Sequence, residues 1–281
     1  MNNKFLSFIM KFCPYNLYMY LRGIKFPFEL EIHLAEHCNL NCISCMHYSS
    51  IAEESFPNFL TLSNQIEKLS KSIKYFKTIR LLGGEPLLNP EIVKILKMIR
   101  KNLSDVEIEL VTNGILLLSN KINASFWNAC KENNIIISIT KYPINLDYDK
   151  IKEIGNKNNC EVRIFGDRMG HDSFCAYKLY FNGYKKNFIK YITCQNRRCL
   201  QLVGEKIYPC SVSAYVNHIN KKFNTKFIHS KHDFLPLDKL DLFNLIKFLS
   251  RAKPFCSYCS PRSKGFPWKK SKFSEDEWII N

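Results

Sequence analysis

Residues Phe28 to Cys45 read FELEIHLAEHCNLNCISC. The first seven, Phe28 to Leu34, alternate as a strand does, with apolar side chains at every second position. A polar loop follows and carries Cys38-Asn-Leu-Asn-Cys42-Ile-Ser-Cys45, three thiols within eight residues. Such close spacing lets one loop wrap a compact metal centre. A structural zinc takes four ligands, so His37 or His47 would have to complete this set. Three cysteines also suit a cubane [4Fe–4S] cluster whose fourth iron stays open.

Working outward, the chain repeats the strand-then-helix pattern. Ile66, Leu69, Ile73 and Phe76 have helical spacing, and Thr78 to Leu82 is a short strand ending in Gly83-Gly84. Asn89 and Pro90 form a cap and first-turn pair ahead of an apolar face of Ile92, Ile95, Leu96 and Ile99. Val106 to Thr112 is a strand, residues near Lys121 to Asn133 look helical, and Ile135 to Thr140 is a β-branched strand. Asp147 caps a helix carrying Ile151 and Ile154, and Cys160 to Phe165 forms another strand. Five strands with intervening helices predict parallel βα units, with functional loops at the carboxyl ends of the strands.

Beyond Gly166 the alternation fades. His171 to Tyr191 is aromatic and basic, and Cys194, Cys199, Cys210, Cys256 and Cys259 follow. Asp241 caps a helix with Leu242, Leu245 and Leu249 on one face, and Ser274 and Glu277 have capping-box spacing. The expected organisation is an N-terminal docking segment over 1–27, a core over 28–190 and a smaller unit over 191–281.

Composition bounds the function. The chain has 281 residues, 46% of them hydrophobic, which supplies a sizeable core and excludes intrinsic disorder. Twelve cysteines are too few for a small disulfide-stapled scaffold and too many for incidental filler. The N-terminal stretch shows no cleavage site, and no apolar run is long enough for a membrane span. A reducing cytoplasm is the expected compartment. The formal charge of +16 is spread over most segments, with no arginine-rich stripe and no recognition-helix motif, which argues against nucleic acid. An acidic protein partner or an anionic small substrate uses such a charge at least as well.

The CxxxCxxC loop after the first strand, together with Leu82-Gly83-Gly84-Glu85-Pro86 ending the second, resembles the radical S-adenosylmethionine (SAM) superfamily. The second stretch looks like that family's GGEP segment, and Thr112-Asn113-Gly114 looks like its TNG. The resemblance implies a partial (β/α)6 TIM-like barrel. It makes Cys38, Cys42 and Cys45 ligands of a [4Fe–4S] cluster. SAM contacts would fall on Gly83, Gly84, Glu85, Pro86, Asn113, Ser138, Thr140 and Arg163. One departure is Ser44, which stands where many relatives place an aromatic residue near adenine; Met46, His47 or Tyr48 would have to replace it.

The tail is similar to the SPASM and shorter twitch domains of the same superfamily, small cysteine-rich α+β units holding an auxiliary cluster. Cys210, Cys256 and Cys259 would be ligands of a second [4Fe–4S] cluster, with Cys194 as the fourth and Cys199 as its alternative. A four-thiolate structural zinc is the competing reading. Cys130 and Cys160 read as core residues, and Cys13 and Cys175 carry no motif.

The implied chemistry is reductive cleavage of SAM to a 5′-deoxyadenosyl radical and hydrogen abstraction from substrate, with reduced flavodoxin or ferredoxin as electron donor. A second cluster ligated by four thiolates favours a net dehydrogenation of a small-molecule or glycan-related substrate, such as a sugar or cyclitol. A peptide maturase is the alternative within the class, and a zinc-stabilised basic nucleic-acid-binding protein the alternative outside it. No catalytic base can be chosen from Lys141, Asp167 and His171.

Overall fold

In the computed structural model the described residues are 28–166, 174–183, 191 and 194–280. The expected N-terminal docking segment, Asp167 and His171 lie outside them.

The predicted strands form in order: β1 (Glu29–Ala35), β2 (Thr78–Gly83), β3 (Glu107–Thr112), β4 (Ile135–Thr140) and β5 (Val162–Phe165). They lie side by side, each parallel to the next. Helices α1 (Phe59–Ser70), α2 (Ile92–Asn102), α3 (Ala124–Glu132) and α4 (Tyr148–Lys157) connect them. Leu62, Ile66, Ile95, Ile99, Phe126 and Ile151 from these helices are buried with Leu30, Ile79, Ile108 and Ile137 from the strands, in one apolar core. Burying each such side chain contributes roughly 1.5–3 kcal/mol, and this layer fixes the strands that carry the loops.

Local chemistry explains most element ends. Asp147 caps α4 by accepting from the Lys150 N–H. Asn89 does not cap α2. Its Oδ1 accepts from the Glu91 N–H and its Nδ2 donates to the Leu34 carbonyl, so it ties the entry of α2 to β1. Ile73 and Phe76 do not continue α1; a separate 3-10 turn, Ile73–Tyr75, carries the chain into β2.

The sheet continues past β1. Strand β7 (Cys199–Val203) pairs with β1 in parallel, β8 (Lys206–Tyr208) pairs antiparallel with β7, and β9 (Leu235–Pro236) with β8. The eight-stranded order is β5-β4-β3-β2-β1-β7-β8-β9. Among the described residues the sixth parallel strand is therefore β7, which joins at the β1 edge. The cysteine-rich tail completes the core sheet instead of standing apart from it.

The tail also has its own apolar cluster, with Tyr177, Leu179, Tyr208, Tyr215, Ile219, Phe255 and Trp278 buried together. Helices α5 (Ser211–Ala214) and α6 (Asn217–Phe223) belong to it, whereas α7 (Leu242–Leu249), capped by Asp241 as expected, buries Leu245 and Leu249 in the core of the main sheet. The Ser274–Glu277 capping box does not form. Glu277 is buried and accepts instead from the Ser271 hydroxyl and the Lys272 N–H. A short parallel pair, β6 (Leu179–Tyr180) with β10 (Ile279–Ile280), closes the chain.

Candidate functional site: two cysteine-lined cavities

After β1 the chain turns sharply. Asn41, Ser44 and Tyr48 all have left-handed backbone conformations, with φ of 54°, 51° and 57°. These kinks aim Cys38, Cys42 and Cys45 into one cavity of about 430 Å³. Gly83, Gly84, Asn113, Ser138 and Thr140 line the same cavity. A loop near the N-terminus and the ends of three later strands thus converge on one space. Burial pushes the Cys38 and Cys42 thiols up to about 12 and raises Cys45 as well. A metal bound there must displace their protons.

The glycine pair is required by the cysteine loop itself. A Cβ on Gly84 would stand 1.9 Å from the His37 carbonyl oxygen and 2.8 Å from the Cys38 nitrogen. Gly83 has φ +140°, and a Cβ there would stand 2.1 Å from the Ala35 oxygen. In this contact the Gly84 N–H donates to Ala35 at 2.8 Å and the Glu85 N–H to His37 at 3.1 Å. The two segments therefore lock together backbone to backbone.

Glu85, Pro86 and Arg163 do not line the cavity. Glu85 is fully buried and accepts from the Thr112 hydroxyl, the Asn113 N–H and the Leu87 N–H. It ties the end of β2 to the end of β3. Burial pushes Glu85 up to about 7, against the pull of those three donors. Pro86 is buried at the first position of a 3-10 turn. Arg163 reaches along the sheet to Glu107, Glu109 and Glu161 because carboxylates on β3 and beside β5 are within its span.

Asn113 faces the loop. Its Nδ2 donates to Asn39 Oδ1 at 2.7 Å and lies 3.8 Å from Cys38 Sγ. Ser138 Oγ is buried and has no hydrogen-bond partner among the described residues. A buried hydroxyl left unmatched in a cavity wall is a place for a polar ligand atom.

Ser44 is occupied elsewhere, donating to the Glu277 carbonyl at 2.9 Å. Tyr48 is buried under the tail with its hydroxyl on the Val212 carbonyl, and Met46 packs in the tail cluster. Of the three candidate substitutes only His47 lines the cavity. Tyr142 and Phe165 also line it, and the sequence reading missed both. Their signal was position: each follows or ends a strand at its carboxyl end. Lys141 holds its ammonium over the Tyr148 ring, 5.4 Å from the centroid, and does not line the cavity.

The last residues strap the loop down. The Ile43 N–H donates to the Lys269 carbonyl and the Ser271 N–H to Asn41. Trp278 Nε1 donates to the Cys45 carbonyl, and Trp268 Nε1 donates to Cys42 Sγ at 3.1 Å.

A second cavity, of about 320 Å³, is lined by Cys194, Cys210, Cys256 and Cys259 with Tyr177, Tyr191, Arg197 and Arg262. Cys199 is not among its lining residues. It begins β7 opposite Glu29, where burial and the nearby Glu31 and Glu29 push its thiol up to about 12. Among the described residues, no three Cys, His, Asp or Glu side chains converge as the ligands of one metal ion do. Each set opens instead onto a space larger than an ion. Three thiols over a glycine backbone with an unmatched hydroxyl fit a cluster with SAM, and four thiols around the second cavity fit a second cluster.

The profile of the radical SAM superfamily matches residues 32–157. Over this stretch the chain is similar to the radical SAM domain. The stretch spans the cysteine loop, the glycine pair, Asn113, Ser138 and Thr140. The GTP 3′,8-cyclase of Clostridium perfringens (strain 13) is 34% identical over 126 residues, covering 44% of this chain and 37% of that protein. The GTP 3′,8-cyclase of Trichodesmium erythraeum is 26% identical over 219 residues, covering 76% and 58%. The chain spans only about a third of the length of several of the curated relatives it matches. A crystal structure of BtrN in complex with AdoMet and 2-DOIA is similar in fold, with a TM-score of 0.52 at 14% identity. That match covers 90% of this chain and 98% of BtrN, so it takes in the tail as well as the radical SAM domain.

Proposed function

We propose that this chain is a radical SAM oxidoreductase acting on a polar small molecule, as in the dehydrogenation of a sugar or cyclitol. The reading rests on one observation. Cys38, Cys42 and Cys45 share a cavity with Gly83, Gly84, Asn113, Ser138 and Thr140, while four further thiols line a second cavity. Cys38, Cys42 and Cys45 would hold a [4Fe–4S] cluster in the first cavity, which, given one electron by a reduced donor protein, would supply the reductive cleavage of bound SAM that leads to hydrogen abstraction from substrate. Cys194, Cys210, Cys256 and Cys259 would hold a second cluster, which would supply an acceptor for the electron left on the substrate as its proton passes to solvent.

The protein's own work is binding, orientation and exclusion of water. The Gly83 and Gly84 backbone meets the methionine end of SAM. Asn113, Ser138 and Thr140 offer amide and hydroxyl groups to its polar atoms. His47, Tyr142 and Phe165 supply ring surface for the adenine. Glu85 and Pro86 act behind this layer by holding the strand ends. The strap from Trp268 to Trp278 covers the cysteine loop.

Nothing in the cavity favours a peptide over a small molecule, and its polar floor suits hydroxyl-bearing substrates. The charge of +16 suits an acidic flavodoxin or ferredoxin as electron donor. No helix among the described residues is long and apolar enough to cross a membrane, and we place the enzyme in the cytoplasm.

The test is anaerobic reconstitution followed by incubation with SAM and dithionite. The expected protein is brown, holds about eight irons as two cubanes require, and releases 5′-deoxyadenosine. Cys42→Ala abolishes that release and keeps the second cluster. A colourless protein with stoichiometric zinc and no SAM cleavage refutes the proposal in favour of a zinc-stabilised binding protein.

A further inference from the structure

The first cavity has a floor that the SAM contacts do not use. Strand register sets Gln201 of β7, Glu31 of β1, Arg80 of β2 and Glu109 of β3 side by side in one row. Glu31, Arg80 and Glu109 line the cavity. The row beneath it begins with Cys199 and Glu29 and ends with Glu107.

Most of these charges are matched. Arg80 pairs with Glu29 at 2.8 Å and with Glu109 at 3.1 Å. Arg163 pairs with the other oxygen of Glu109 and with Glu107. Glu31 differs. It is only 7% exposed, and among the described residues no Lys or Arg nitrogen comes within ion-pair distance of it. One of its oxygens accepts from the neutral Gln201 amide, and the nearest imidazole nitrogen, on His47, is 3.8 Å away. Its other oxygen accepts no hydrogen bond from any described residue.

Gln201, behind it, is completely buried and does not line the cavity, so no cavity ligand reaches its unpartnered Oε1. Arg80 acts on Glu31 through space but spends its direct contacts on Glu29 and Glu109, so the Glu31 carboxylate is removed from water without an ion pair of its own to Lys or Arg, which is costly. An ammonium group offers three donors and a full positive charge, so it satisfies the carboxylate in both respects. A hydroxyl supplies one donor and no charge. Burial raises Glu31 above the usual carboxylate range, and a bound cation would draw it back down.

We propose that Glu31 is a substrate-recognition residue that receives a protonated amine, so that the substrate is a small polyhydroxylated amine. This rests on reading the cavity as the place where SAM meets substrate. The cavity floor holds Glu31 and Glu109 against Arg80, a net negative lining inside a strongly basic protein. Such a floor rejects phosphorylated and carboxylated molecules and admits cationic ones.

The experiment is calorimetric titration of the reconstituted protein, with SAM present, using D-glucosamine, D-glucose and D-glucuronate as probes. Glucosamine is expected to bind about tenfold or more tightly than glucose, and glucuronate not to bind. Glu31→Gln is expected to weaken glucosamine about ten- to hundredfold and leave glucose unchanged, while Glu31→Asp keeps part of the preference. SAM affinity measured on each variant reports whether the cavity is still formed. Equal glucosamine affinity in wild type and Glu31→Gln, or glucose or glucuronate binding as tightly as glucosamine, overturns the assignment. So does an absence of glucosamine binding by a protein that binds SAM. Release of 5′-deoxyadenosine is read separately, so failure of the radical chemistry and failure of amine recognition are distinguishable.

Discussion

Gly84→Ala should dismantle the first cluster site while leaving the second intact. The added Cβ would stand 1.9 Å from the His37 oxygen, 2.2 Å from the His37 carbonyl carbon and 2.8 Å from the Cys38 nitrogen. All three are backbone atoms, so no side chain can swing away. The loop would have to withdraw by about 1.5 Å to reach ordinary contact, since Cβ neighbours sit at 3.4 Å or beyond. That withdrawal breaks the Glu85 to His37 hydrogen bond and moves Cys38 relative to Cys42 and Cys45. Overpacking of this kind costs about 1–3 kcal/mol, and a contact between two main chains lies at the upper end. The assay is iron content and the absorbance near 400 nm after anaerobic reconstitution, with 5′-deoxyadenosine release measured alongside. Loss of about half the iron and of SAM cleavage is expected, the remainder staying with the tail cysteines. Gly204→Ala is the control, because nothing lies within 4 Å of the added carbon although φ is +60°. It should cost about 1 kcal/mol and keep both clusters. Normal iron loading and SAM cleavage in Gly84→Ala would refute the argument that this glycine exists to admit the cysteine loop.

Three further outcomes are expected. Cys194→Ser should remove about half the iron, whereas Cys199→Ser should keep all of it, as iron analysis of the two proteins will show. Trp268→Phe removes the indole N–H that meets Cys42 Sγ, so the reduction potential of the first cluster should fall in an EPR-monitored titration. Glu85 stands near 7 in the folded chain and at its ordinary value near 4.5 when unfolded. Between those values the unfolded chain holds fewer protons, so stability falls as pH rises, by about 3 kcal/mol in total. Denaturant unfolding of wild type and Glu85→Gln across that window should show the slope in the first and not in the second.

The core strands were legible because β-branched runs such as Ile135 to Thr140 end at Gly, Asn or Lys, which punctuate them locally. Asp147 and Asp241 were legible for the same reason: a cap acts on nitrogens three residues away. The features that escaped depend on distant partners. Glu277 has the right spacing for a capping box, but burial gives it to Ser271 and Lys272 instead. Strand β7 was placed in a separate unit, yet its pairing with β1 spans some 170 residues and leaves no local signal. Arg163 was read as a contact for SAM because a side chain on the fifth strand could reach it; the carboxylates of β3 that claim it are visible only once register is known.

Register also resolves the charge. An excess of +16 reads from sequence as one positive field and suggests acidic or anionic partners of every kind. The fold divides it. Alternation along β1, β2 and β3 sends Leu30, Ile79, Ile108 and Leu110 to the helix-covered side and Glu29, Glu31, Arg80, Glu107 and Glu109 to the cavity side. A one-residue slip in any of these strands would exchange the two sets and bury carboxylates in the apolar core, so the pattern is strongly fixed. Lysines that contribute to the net charge, such as Lys71, Lys77 and Lys101, lie on the outside and are exposed. Outer charge governs which proteins approach, over distances up to the screening length. The inner rows govern which small molecule is held, over hydrogen-bond distances where water is excluded. The two preferences have opposite sign, so an acidic electron donor and a cationic substrate are compatible requirements of one chain.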